Sequence, residues 1–195
     1  MDFVLAIAVA LGLGLRHATD PDHLVAVTSL VAAGEGDVRG AARLGVWWGL
    51  GHAAMLLAVG LPLIVLEGRM PGWLERGAET AIGLVIVLLA ARLLVPWRRP
   101  AQAHRLRTRP QAFGIGLLHG LAGSGAVVVL LVAAVPSPVE AAATLAVFAP
   151  ATMVSMTAFT GAFAWALGRS GHRPVLVPAI GALGLAFGLW YAGLT

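Results

Sequence analysis

Six apolar runs, each long enough to cross a bilayer, follow one another along nearly the whole chain. They cover about 3–33, 41–66, 78–97, 111–135, 139–168 and 174–193. A hydrocarbon layer is spanned by roughly 20 apolar residues in a helix. Lipid offers backbone N–H and C=O groups no partner, so each run must satisfy its own backbone as a helix. The pattern predicts an all-α polytopic membrane protein with six transmembrane helices and no soluble domain. Residues 1–195 are read as a single transmembrane domain. Composition agrees, with 59% hydrophobic and only 11% charged residues, a balance foreign to soluble domains. Residues 2–15 resemble a signal peptide only weakly. Asp2 replaces the positive n-region and "AVA" at 8–10 is a poor cleavage site, so the segment is read as retained.

Charge gives the orientation. Lysine is absent and arginine carries all the positive charge, for a net +4. The first, third and fifth loops (about 34–43, 98–110 and 169–173) hold nine arginines against two in 67–76 and none in 136–138. The positive-inside rule makes the nine-arginine side cytoplasmic, with both termini outside. Were residues 3–33 a tight two-helix hairpin, the N-terminus alone would move inside. No basic face with interleaved aromatics is present, so nucleic acid is not an expected partner. The lipid bilayer is.

An internal repeat underlies the six spans. Gly12, Gly14, Leu15 and His17 of "GLGLRH" fall on Gly114, Gly116, Leu117 and His119 of "GIGLLH". "LGVWWGLGHAAM" (44–55) matches "LAVFAPATMVSM" (145–156), and "AIG" recurs at 81–83 and 179–181. Repeat one covers about 1–97 and repeat two about 111–195, joined by the cytoplasmic arginine-rich loop 98–110. Three spans per repeat invert the second copy, giving a 3+3 inverted repeat. Transporters built this way bind substrate near mid-membrane, on discontinuous helices.

The first span carries such a discontinuity. "RHATDPDH" (16–23) sets an arginine, two histidines and two aspartates between apolar runs. A helix rising about 1.5 Å per residue puts His17 roughly 21 Å from residue 3, inside the hydrocarbon layer. Pro21 has no N–H for the carbonyl of His17. Asp20 followed by Pro21 is a helix-start signature, with Asp20 as N-cap and Pro21 as first helical residue. The first helix is therefore expected to break at residues 17–21, with Asp20 and Pro21 as its structural elements.

Buried ionisable groups are costly and mark ion paths. Cysteine is absent, so a metal here must rely on imidazole, carboxylate, carbonyl, thioether or water. His17, Asp22 and His23 suit a borderline divalent cation such as nickel, cobalt or zinc. The competing reading pairs these groups with each other or with Arg16 to hold the bundle. His52 lies about 17 Å into the second span, and His119 is similarly deep in the fourth. His104 and His172 fall in arginine-bearing loops. At the repeat offset Asp22 falls on Ser124 and His52 on Met153, so the second half supplies mostly shape. His119, Ser124 and Met153 are additional metal or gating candidates. Thr152, Ser155 and Thr157 either line a path or bond backbone and neighbouring helices.

These residues carry a resemblance. His17, four residues, then Asp22 and His23 is similar to the signature of the nickel/cobalt transporter family, and "RHATDPDHLVAVTSL" resembles its signature helix. "LGH" (50–52) looks like the start of a second family motif. With "HGLAGSG" (119–125), the chain resembles the shorter, six-helix UreH-type branch. The usual members have eight spans, and the acidic motif of their second half has no counterpart here. The resemblance implies a secondary transporter of Ni²⁺ or Co²⁺ in the cytoplasmic membrane. It implies that His17, Asp22 and His23 select the metal, with His52 beside them.

The expected function is a permease, not an enzyme. It has no resident cofactor, and Ni²⁺ or Co²⁺ is its substrate. Protons compete for imidazole, so transport should weaken at low pH. The alternative is a non-transporting metal-sensing or accessory membrane subunit. An intramembrane metallohydrolase would need an open water position and a general base, and the chain has no HExxH. The sequence leaves homo-oligomerisation open.

Overall fold

The computed structural model describes residues 2–32, 37–66, 70–94, 108–135 and 137–194. Among these, the side chains of residues 29, 30, 32, 123–129 and 131–133 lie outside the description, Ser124 with them. The described residues form seven α-helices and no strand. These are α1 (Phe3–Arg16), α2 (Pro21–Ala32), α3 (Val38–Val65), α4 (Gly72–Leu94), α5 (Arg109–Ala134), α6 (Pro138–Arg169) and α7 (Arg173–Tyr191). Helices α3, α4, α6 and α7 are each long and apolar enough to cross a membrane. Taken as one broken span, α1 and α2 make a fifth.

The break falls at the motif and takes a specific form. Residues His17–Thr19 make one turn of 3-10 helix, closed by the amide of Asp20 donating to the carbonyl of His17. The Thr19 hydroxyl donates to the carbonyl of Arg16 (2.7 Å), one of the groups a helix end leaves open. Asp20 is extended (φ −65°, ψ 146°), and its carbonyl accepts from His23 and Leu24 to start α2. The two segments diverge by 49°.

Several helices run past the expected edges of their apolar runs. Helix α3 begins at Val38, where the Asp37 carboxylate caps the amide of Gly40 (2.9 Å). Helix α4 begins at Gly72, which puts Arg76 on a helix rather than in a loop. Arg39 and Arg43 likewise sit on α3, and Arg109, Arg169 and Arg173 on helix ends. A capped helix has no reason to stop where hydrophobicity does. The arginine-rich stretch 98–107 lies outside the described residues.

Helix α3 is the central element. It packs on α5 and on α6, α1 lies along α6, and α4 pairs with α7. The α4–α7 pair is antiparallel: Gly83 meets Ala192, Val87 meets Gly188, Ala90 meets Gly184 and Leu94 meets Gly181. Buried Thr28, Thr144 and Thr160 each return their hydroxyl to their own helix four residues back. Large apolar side chains such as Leu5, Val139, Leu183 and Trp190 face outward, as a lipid surround permits.

Two glycines set how closely the site-bearing helices approach. A Cβ on Gly14 of α1 would stand 2.9 Å from the carbonyl oxygen of Phe148 and 3.3 Å from the amide of Thr152 on α6. A Cβ on Gly116 of α5 would collide with the carbonyl of Trp48 and stand 2.9 Å from the amide of His52 on α3. Small residues allow this backbone-to-backbone packing.

Candidate metal centre

The helix break, α3 and α5 bring four imidazoles together. His17 begins the 3-10 turn, His23 lies in the first turn of α2, His52 lies within α3, and His119 lies within α5. One ring nitrogen from each of His17, His23 and His52 lies within 4.8 Å of the others. His17 Nε2 and His52 Nε2 are 3.0 Å apart. Three ligands about 2.1 Å from a tetrahedral ion stand roughly 3.4 Å from one another, so small rotations bring the set to coordinating distance. His23, His52 and His119 are buried.

Acceptors on the outer side orient three of the rings. Nδ1 of His17 lies 3.0 Å from Asp20 Oδ2, and Nδ1 of His23 lies 3.1 Å from Asp22 Oδ1. Nδ1 of His119 lies 3.0 Å from the carbonyl of Ile115. A carboxylate or carbonyl oxygen only accepts, so in each neutral ring the proton sits on Nδ1 and Nε2 holds a lone pair. Carboxylate or carbonyl behind imidazole is the usual arrangement behind a metal-ligating histidine. Among the described residues, His23 Nε2, His52 Nδ1 and His119 Nε2 are buried without a hydrogen-bond partner.

The expected residues are distributed unevenly around this centre. Asp22 is adjacent, with Oδ2 3.9 Å from His119 Nε2. Asp20, expected only to start a helix, also holds His17. Met153 packs against Gly49 across α3 and α6, within an apolar cluster. Ser124 lies on α5, with its side chain outside the description. Thr152 and Thr157 bond their own helix, whereas the single Ser155 hydroxyl proton is shared between the carbonyl of Thr152 (3.0 Å) and that of Gly14 (2.9 Å), the latter tying α6 to α1. Arg16 is exposed.

Two aromatic neighbours were not anticipated. Trp48 lies 5.1 Å from the His23 ring and 5.8 Å from that of His119, and Phe148 lies 5.8 Å from His17, centroid to centroid. Trp48 precedes His52 by four residues, a spacing that shares a helix face and was readable in the sequence. Phe148 offers no such local signal.

The fold and centre together define a class: an all-helical membrane protein with imidazoles clustered at a broken helix. Its relatives narrow that class. The chain is similar to the urease accessory protein UreH of Bacillus sp. (strain TB-90), 26% identical over 175 residues, covering 82% of this chain and 76% of that protein. It is similar to the high-affinity nickel transport protein of Cupriavidus necator, 33% identical over 87 residues, 45% of this chain and 24% of that one. It is also 28% identical over 206 aligned positions to the chloroplast protein FOR GROWTH AND FERTILITY 1 of Arabidopsis thaliana, 90% of this chain and 55% of the relative. No protein-family profile and no solved structure matches the chain. The chain is thus similar to a protein named for urease accessory function over most of its length and to one named for nickel transport over about half of it. Two of these relatives are named as an accessory protein and a transport protein.

Proposed function

We propose that the protein is a permease for a divalent transition-metal ion, Ni²⁺ or Co²⁺, in the cytoplasmic membrane. The observation that carries this is the meeting of His17, His23 and His52 nitrogens within 4.8 Å, at a helix break. Imidazole sets suit nickel, cobalt and zinc, and broken helices in transporters carry substrate sites. The relative named for nickel transport favours nickel or its neighbour cobalt as cargo. Asp22 contributes negative charge beside the imidazoles.

The alternating access of such a permease follows from a 3+3 inverted repeat in one transmembrane domain. Reciprocal packing supports it. Gly14 lies over the backbone of 148 and 152, and Gly116 over that of 48 and 52, each a glycine of one half on an i, i+4 step of the other. Gly83 meets Ala192 while Gly181 meets Leu94, again one contact made twice. Helix α5, with 26 residues and about 39 Å of length, is long enough to be the sixth crossing. The arginine distribution favours loop 98–110 inside and both termini outside.

The second reading, a non-transporting accessory subunit, draws on the relative named as an accessory protein. Metal flux into proteoliposomes containing the purified protein separates the two. Saturable Ni²⁺ or Co²⁺ flux that disappears in His17→Ala and His52→Ala supports the permease. Metal binding without flux supports the accessory role, and absence of both removes the metal reading.

A further inference from the structure

The two oxygens of Asp22 point to different partners. Oδ1 accepts the Nδ1 proton of His23 (3.1 Å), while Oδ2 faces Nε2 of His119 at 3.9 Å. That separation is too long for a hydrogen bond. Moreover, neutral His119 has no proton to give there. Its Nδ1–H is committed to the carbonyl of Ile115 (3.0 Å), which leaves a lone pair on Nε2. This nitrogen is buried and has no hydrogen-bond partner among the described residues. A carboxylate oxygen and an imidazole lone pair thus face each other across a gap. A transition-metal ion with bonds of about 2.1 Å to each bridges separations up to roughly 4.2 Å, and the gap falls inside that reach.

We propose that the cluster holds two positions for the travelling ion: one among His17, His23 and His52, and a second between Asp22 Oδ2 and His119 Nε2. This inference rests on the permease reading. His23 joins the two positions, since its ring centroid lies 4.6 Å from that of His17 and 5.1 Å from that of His119. Trp48 walls both, packing on His23 and His119 alike. The second position has two protein ligands, an oxygen and a nitrogen, against three nitrogens at the first. It therefore holds a borderline ion less tightly, which suits a release step. Asp22 belongs to both, orienting His23 with one oxygen and ligating with the other. Two divalent ions this close repel, so they occupy the positions in turn.

The test uses Co²⁺ alone as probe, with the full chain in detergent for calorimetry and in proteoliposomes for flux. In His119→Gln, Co²⁺ affinity stays within about threefold of wild type while flux falls at least about tenfold, because the first position is intact and the second is gone. Loss of affinity equal to that of His52→Ala overturns the proposal by making His119 a ligand of the same ion. Full flux in His119→Gln overturns it by making His119 a bystander. Anomalous scattering from Co²⁺-soaked crystals of His52→Ala keeps the test independent of how well the glutamine variant folds. A cobalt peak between Asp22 and His119 supports the second position, and a peak elsewhere or none overturns it. Wild-type protein that neither binds nor moves Co²⁺ removes the permease reading together with this one, whereas normal wild-type flux with an unaffected His119→Gln removes only this one.

Discussion

Oδ2 of Asp20 lies 3.0 Å from Nδ1 of His17, three residues earlier in the chain. The contact turns a helix-start aspartate into a support for an imidazole, and fixes which of its nitrogens carries the proton. Removing such a support commonly costs 10- to 100-fold in metal affinity. Asp20→Ala is expected to weaken Co²⁺ binding by about that factor, with Asp20→Asn between it and wild type, since an amide oxygen still accepts. Titration calorimetry of the two variants checks the order. Equal affinity in Asp20→Ala and wild type would sink the idea.

Helix approach gives a second expectation, with a built-in control. Gly116→Ala drives a methyl group into the carbonyl of Trp48, beside the amide of His52. Overpacking of this kind costs about 1–3 kcal/mol, and here it also shifts His52. Gly12→Ala has open space, with nothing within 4 Å of the new methyl. It should leave stability unchanged or raise it by about 0.5–1 kcal/mol. Thermal melting in detergent distinguishes the two. Comparable melting temperatures would mean that α3 and α5 do not pack as described.

Ser155→Ala removes one tie between α6 and the end of α1. The Gly14 carbonyl that loses this bond still accepts from the amide of His17. The cost is therefore that of an ordinary hydrogen bond, about 0.5–1.5 kcal/mol, rather than of an orphaned group. Metal affinity should move little. A large loss of Co²⁺ binding at unchanged stability would instead assign Ser155 to the site.

Ligation should be coupled to protons. An imidazole nitrogen binds metal through its lone pair, so a protonated ring must give up a proton before it can ligate. Affinity for Co²⁺ is therefore expected to fall as pH is lowered into the range where the imidazoles take up protons. Calorimetry in two buffers of different ionisation enthalpy reads the released protons directly. Affinity that did not fall at any pH down to the acid limit of the folded protein would count against imidazole ligands.

Parts of this architecture were legible from residue order, and the reason is energetic. A charged residue in an apolar run is costly, so His17, Asp22 and His23 stand out, and Pro21 marks the break through its missing N–H. His52 was placed beside the motif only by the family resemblance, and His119 was readable as a mid-depth histidine but not as a neighbour of Asp22, because these meetings depend on how α3 and α5 pack. The dual service of Asp20 was hidden for a related reason. A helix-start aspartate looks the same in sequence whether its carboxylate turns to the backbone or to a ring. Phe148 was invisible altogether, since only the α1–α6 packing brings it to His17.

The bond from Ser155 to the Gly14 carbonyl spans 141 positions of sequence. A ribosome adding about 5–20 residues per second needs on the order of ten seconds to make that stretch. For all that time the newly inserted first helix holds its glycine face and its broken end without the sixth helix that will cover them. His17 and Asp22 also wait, for His52 and then for His119. Truncation after α5 should therefore leave a chain more exposed to membrane proteases than its apolar content alone suggests.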